Sequence, residues 1–173
     1  MAYHQQIILP NYFDIFELGV QFNLDKSDLR KRFIRLSRNT HPDLQSGSDA
    51  LEQSTLVNQA YKVLSDDFLR TRYVLELMGK GIEQIDTVPM DFLMEMMEWN
   101  ERIESAADHP DQQPILIQDF KELKQGVESA LLAKTQAFDQ DNEPTLLEDI
   151  REICLQQKYL LRMQESIDKF APR

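Results

Sequence analysis

The placement of one tripeptide, His41-Pro42-Asp43, between two helical stretches constrains the fold more than any other feature of the chain. Proline cannot donate a main-chain hydrogen bond, and it pushes the residue before it out of helical geometry. Within a short polar connection it ends one helix and lets another begin. Before it, residues 25–39 read as a short basic amphipathic helix; after it, residues 48–77 read as a second amphipathic helix. The pattern predicts two antiparallel rods with His41 and Asp43 exposed between them. Polar residues 45–49 read as loop.

The tripeptide alone decides nothing, and the chain supplies its own control. His109-Pro110-Asp111 repeats it, but residues 101–108, just before, carry one base against three acids. Flanked by Asp108 and Gln112-Gln113-Pro114, this copy reads as an interhelical turn. The first copy differs in its surroundings. Leu29, Phe33 and Leu36 form an apolar stripe at spacings of four and three, with Arg30, Lys31, Arg32, Arg35 and Arg38 on other faces.

Glycine is scarce, with 5 in 173 residues, and strand-type punctuation is missing, so helices should dominate. A 42% apolar content is enough for a core without disulfides. The lone Cys154 cannot pair within the chain, which suits a reducing compartment, and its place on an apolar helical face reads as core. No Cys-x-x-Cys pair is present, and neither His4 nor His109 has a Cys or His partner at ligand spacing, so no metal or cofactor is expected. Residues 1–10 lack the basic cluster and the apolar run of a signal peptide, and no stretch approaches membrane-spanning length. A cytoplasmic location is the resulting expectation.

Charge divides the chain. Residues 1–78 carry nine Lys/Arg against ten Asp/Glu, a net of −1; residues 79–173 carry ten against twenty, a net of −10. Phosphate contacts need a positive surface, so nucleic acid is a poor partner, and the acidic half should favour a basic one. Gly79-Lys80-Gly81 ends the second helix, and Pro89 can open the next at its first position. Three further helical stretches follow, at about residues 90–107, 114–139 and 143–170. Leu116, Phe120, Leu123, Val127 and Leu131 line one of them; Leu146, Ile150, Ile153, Leu160 and Ile167 line another. Short turns between amphipathic helices predict an antiparallel three-helix bundle.

The first bundle helix has apolar surface to spare. Phe92, Met96, Trp99 and Ile103 form one stripe that can face the bundle. Leu93 and Met97 form a second about a hundred degrees away, widened by Met94 and continued by Glu98 and Glu101. This second stripe is either broad core or a docking surface, and its methionines suit the latter.

Residues 10–78 resemble a J domain, the DnaJ-like module that stimulates the ATPase of 70-kDa-class chaperones. The likeness rests on residues 11–18, on the basic helix before His41-Pro42-Asp43, on residues 57–64, and on Asp66 with residues 70–73, all in order. It implies that His41, Pro42, Asp43, Lys31, Arg35 and Arg38 meet a DnaK/HscA-type chaperone. Thr40 departs from the aromatic residue usual before the tripeptide.

A J domain followed by a short acidic bundle is similar to the HscB-type co-chaperones of iron–sulfur cluster assembly. Residues 92–98 resemble that family's helix for an IscU-type scaffold protein. Carried over position by position, its contacts fall on Leu93, Met94, Met97, Glu98 and Glu101, joined by Tyr159 in place of the usual Phe. A further family acid falls on Ser105, a departure that weakens this end. The implied fold is all-α: residues 1–78 a J domain, 79–89 a linker, and 90–173 a client-binding bundle. The implied activity is that of a co-chaperone, not an enzyme, which brings the scaffold to the chaperone. A J-domain co-chaperone for another client is the alternative. An enzyme built on His41 is the least supported reading, because no nucleophile, oxyanion donor or phosphate-binding glycine loop accompanies it.

Overall fold

The computed structural model describes residues 11–39, 48–83, 86 and 88–170. The chain divides between Val74 and Leu75 into two compact units. All regular structure among the described residues is helical.

In the first unit, α1 (Tyr12–Ile15) is a single turn capped by Asn11, whose side chain accepts from the Phe13 amide at 3.0 Å. Asp25 caps α2 (Lys26–Asn39) by accepting from the amides of Ser27 and Asp28 at 2.8 and 3.2 Å. The single helix expected over residues 48–77 is instead two, α3 (Ser48–Ser65) and α4 (Asp67–Leu77). The Asp66 carboxylate accepts from the Leu69 amide at 2.8 Å and so starts a new helix. Apolar periodicity carries across such a break, while a local cap resets the backbone. Residues 48 and 49, read as loop, belong to α3.

Phe13, Phe16, Phe22, Leu29, Ala60 and Leu64 form the buried heart of this unit. Phe33 stacks on Tyr61 at 4.0 Å, which seats α2 against α3. Tyr73 stacks on Tyr12 at 4.7 Å and accepts from the Tyr12 amide at 3.0 Å. Arg70, only 4% exposed, sits among these apolar groups. Its guanidinium donates to the carbonyls of Phe22 and Leu64 at 2.7 and 2.6 Å and to Asp67 at 2.6 Å. A buried cation is tolerable only because each of these acceptors is in place.

The second unit holds α5 (Met90–Asp108), α6 (Gln113–Asp141) and α7 (Leu146–Ile167). His109-Pro110-Asp111 lies in the turn between α5 and α6, where Pro110–Gln112 form a 3-10 helix. Pro89 is the N-cap of α5, one position before that expected, and its carbonyl accepts from the Leu93 amide at 3.0 Å. Asn142 ends α6 in the left-handed region, at φ 52°, and Asp168–Phe170 close α7 as a 3-10 turn. Phe92, Met96, Trp99 and Ile103 of α5 pack with Leu116 and Phe120 of α6 and with Leu155, Leu160, Met163 and Ile167 of α7. Burial of each large side chain here contributes about 1.5–3 kcal/mol. The stripe assigned to α7 is broader than expected: Ile150, Leu160 and Ile167 are buried, Leu146 and Ile153 only half so, and Cys154 and Leu155 join the interior.

Candidate functional site

Two surfaces carry the residues singled out by the sequence, one on each unit. On α2, burial of Leu29 fixes the helix rotation and leaves Lys31, Arg35 and Arg38 exposed on one face. Arg32 points elsewhere. It donates to the carbonyls of Phe16 and Glu17 at 2.8 and 3.1 Å and to Asp28 at 2.7 Å. Glu17 adopts a left-handed backbone, φ 53°, which turns the chain after α1 toward α2. Arg32 is thereby a strut, while Arg35 pairs, among the described residues, with the exposed Glu17 carboxylate at 3.2 Å. Thr40, His41, Pro42 and Asp43 lie outside the described residues.

The second surface is on α5. Its core stripe is locked by Trp99, which meets Phe120 edge-on at 5.4 Å, and by Arg102, which lies 4.3 Å over the Trp99 ring and pairs with Asp119 of α6. At the helix entry, Asp86 accepts from the Glu83 amide at 2.7 Å and pairs with Arg151 of α7 at 2.6 Å. The Glu83 hydrogen bond, joined by Arg151, holds the Asp86 carboxyl below its ordinary pKa against the opposing cost of desolvation. With the rotation of α5 set, the side opposite Phe92 and Trp99 must face water.

That side is apolar. Met94 and Met97 are 59% and 64% exposed, so neither is core. Met90, at 72%, extends the ridge one turn toward the N-terminus. Met90 was not singled out in the sequence, although its spacing of four from Met94 was the available signal. Glu98, Glu101 and Ser105 are exposed along the same helix. Leu93 and Tyr159 behave differently from the fully exposed pattern. Both are partly buried and pack against the core, and Tyr159 meets Phe92 edge-on at 6.3 Å. Leu93 lies on the helix wheel between Met97 and core-facing Met96, so it straddles the boundary. The patch is graded: a footing of Leu93 and Tyr159, and a crest of methionines.

Comparison with known proteins accounts for both units. Residues 11–73 match the DnaJ domain family, and residues 88–168 match the HSCB C-terminal oligomerisation domain family. The first match, together with the capped helices and basic α2, defines a J-domain protein. The chain is 37% identical over 132 residues to the co-chaperone protein HscB homolog of Haemophilus influenzae, covering 71% of this chain and 75% of that one. It is 33% identical to the human iron-sulfur cluster co-chaperone protein HscB, over 91% of this chain and 67% of that protein. The crystal structure of human HscB superposes with a TM-score of 0.77 at 28% identity, covering 94% of this chain and 82% of that one. The chain belongs to the HscB family of J-domain co-chaperones. Among the described residues, no helix is long and apolar enough to cross a membrane.

Proposed function

We propose that this chain delivers an IscU-type iron–sulfur scaffold protein to a dedicated DnaK/HscA-type chaperone and stimulates that chaperone's ATPase. Residues 1–78 act as the J domain, 79–89 as a linker, and 90–173 as the client-binding bundle. The chain makes and breaks no covalent bond itself. His41, Pro42 and Asp43 engage the chaperone, and Lys31, Arg35 and Arg38 steer its acidic surface into register. Leu93, Met94, Met97 and Tyr159 hold the scaffold, with Glu98 and Glu101 facing basic groups beside it. Linking the two sites raises the scaffold's effective concentration at the chaperone.

The observation that supports this reading most is the exposure of Met94 and Met97 beside Leu93 and Tyr159 in an otherwise well-packed bundle. Contiguous apolar surface rimmed by charge marks a docking site. The test uses three full-chain variants, a steady-state ATPase assay with chaperone and scaffold, and a scaffold-binding measurement. His41→Gln should remove most stimulation while helical content and Tm stay unchanged, and His109→Gln should leave all three unchanged. Normal stimulation by the His41 variant would overturn the chaperone assignment. Scaffold binding that survives combined Met94→Ala and Met97→Ala at wild-type affinity would overturn the client assignment.

A further inference from the structure

The sulfur atoms of this chain are sorted by exposure. Met78, Met90, Met94 and Met97 are 39%, 72%, 59% and 64% exposed, whereas Met96 and Met163 are 4% and 7% exposed and Cys154 is fully buried. The one thiol is thus shut away, and the sulfur open to water is thioether. Three of the four exposed thioethers among the described residues stand on α5 at positions i, i+4 and i+7, a ridge about 10 Å long. Leucine at those positions would supply comparable apolar area. Methionine adds a lone pair that an oxidant can reach.

We propose that Met90, Met94 and Met97 form a reversible peroxide-oxidation site that switches the α5 docking surface off. The switch rests on the scaffold-docking reading above. In the chemical step, the thioether sulfur attacks one oxygen of hydrogen peroxide. An S–O bond forms as the O–O bond breaks, and a proton passes between the two peroxide oxygens. Sulfur gives up two electrons and becomes the sulfoxide, and the other oxygen leaves as water. A dithiol reductase reverses it: two thiols become a disulfide, the oxygen leaves as water, and the thioether returns.

The surroundings select the oxidant class. Residues 79–173 carry a net charge of −10, and Asp91, Glu95, Glu98 and Glu101 lie on α5 itself. An anionic oxidant is repelled by this field, and an uncharged peroxide is not. Each sulfoxide places a strong dipole on a face that must lose water to bind. The fold itself is spared, because the core methionines are covered. Three adjacent sulfoxides make the loss graded with oxidant dose.

The experiment treats the full chain with hydrogen peroxide, removes it, maps sulfoxides by peptide mass spectrometry, and measures the Kd for purified scaffold. Met90, Met94 and Met97 should oxidise ahead of Met96 and Met163, with helical content unchanged. Oxidation should raise the Kd about tenfold, and methionine sulfoxide reductase should restore it. Each variant is compared with itself before and after treatment. The ratio should stay near tenfold for Met78→Leu and fall to about one for combined Met90→Leu, Met94→Leu and Met97→Leu, whatever that variant's starting affinity. Untreated wild type that fails to bind scaffold would overturn the docking reading and the switch with it. Untreated binding that survives full ridge oxidation, or an equal loss in the triple variant, would overturn the switch alone.

Discussion

The two units handle their most conspicuous side chains in opposite ways. In the first, Arg32 and Arg70 turn their guanidinium groups onto backbone carbonyls of their own unit. In the second, methionines that could have filled a core stand in water on α5, and pairs such as Lys134 with Asp149 lie at the exposed surface. Both units have apolar cores; the first adds arginine ties to backbone carbonyls and leaves basic side chains exposed on α2, while the second leaves methionines exposed on α5. A surface that steers a partner through charge can tolerate water. A surface that grips a client needs area to desolvate. Residue type alone therefore does not reveal role: an arginine is a strut at 32 and exposed at 35, and a methionine is core at 96 and crest at 97.

The comparison predicts a ranking of effects. The largest belongs to Arg70. Replacing it with Leu removes a buried guanidinium that donates to two backbone carbonyls and to Asp67, and should cost about 3–5 kcal/mol, read from denaturant unfolding of the full chain. Arg35→Leu, which loses an exposed pair with Glu17, should cost less than about 1 kcal/mol. Equal costs for the two would erase the distinction between strut and contact.

Next comes the gradient across the α5 patch. Met94→Ala and Met97→Ala should change stability by less than about 1 kcal/mol and weaken scaffold binding by about 1–2 kcal/mol each. Leu93→Ala and Tyr159→Ala should lose affinity too, but also about 1–2 kcal/mol of stability, since each gives up packing on the core. Calorimetry paired with thermal melts separates the two classes. Stability losses of similar size in all four would mean that the crest is core after all.

Smaller still is the effect of reversing Lys31, Arg35 and Arg38 to Glu. Association with the chaperone should slow by about tenfold at low salt, with little change in dissociation. Stopped-flow traces at rising ionic strength should bring mutant and wild type together as the Debye length shrinks. A rate independent of salt would remove this face from the binding scheme.

The smallest effect concerns pH. Burial tends to raise the Asp67 carboxyl, but hydrogen bonds and charge from Lys26 and Arg70 outweigh it and hold the pKa below its ordinary 3.8. A carboxylate depressed in the folded state adds stability that is full above its unfolded pKa. That stability is lost as pH falls through the folded value. Acid melts should show a modest decline there, absent in Asp67→Asn. A decline of the same size in both proteins would assign the acid sensitivity to other carboxylates.

Much of the helical layout was legible because its signals are local. Asp25 and Gly79 bound helical stretches read from the sequence, and Pro110 forces the turn between α5 and α6, whereas the single turn α1 behind Asn11 was not among those readings. The core stripe of α5 was legible too. A single helix has one period, and Phe92, Met96, Trp99 and Ile103 keep it. What escaped lay where two signals compete. At Asp66 a cap interrupted an apolar pattern that ran on regardless. In α7 a wide apolar face hid which line of residues was central, and Gln157 lies within it, 8% exposed, its side-chain oxygen without a hydrogen-bond partner among the described residues.

The sequence by itself marked most helix ends, though not the break at Asp66, and it separated the core stripe of α5 from the second stripe that carries Leu93, Met94 and Met97. Each follows from backbone geometry within a single element. The tertiary structure alone decided which arginine of α2 reaches the turned chain at Glu17, and how deeply Leu93 and Tyr159 sink beside Phe92. It also decided that α5 stops rotating with Met94 and Met97 in water. Those outcomes depend on the angle and depth at which neighbouring helices meet. Side chains distant in sequence set that geometry together, and no local pattern records it.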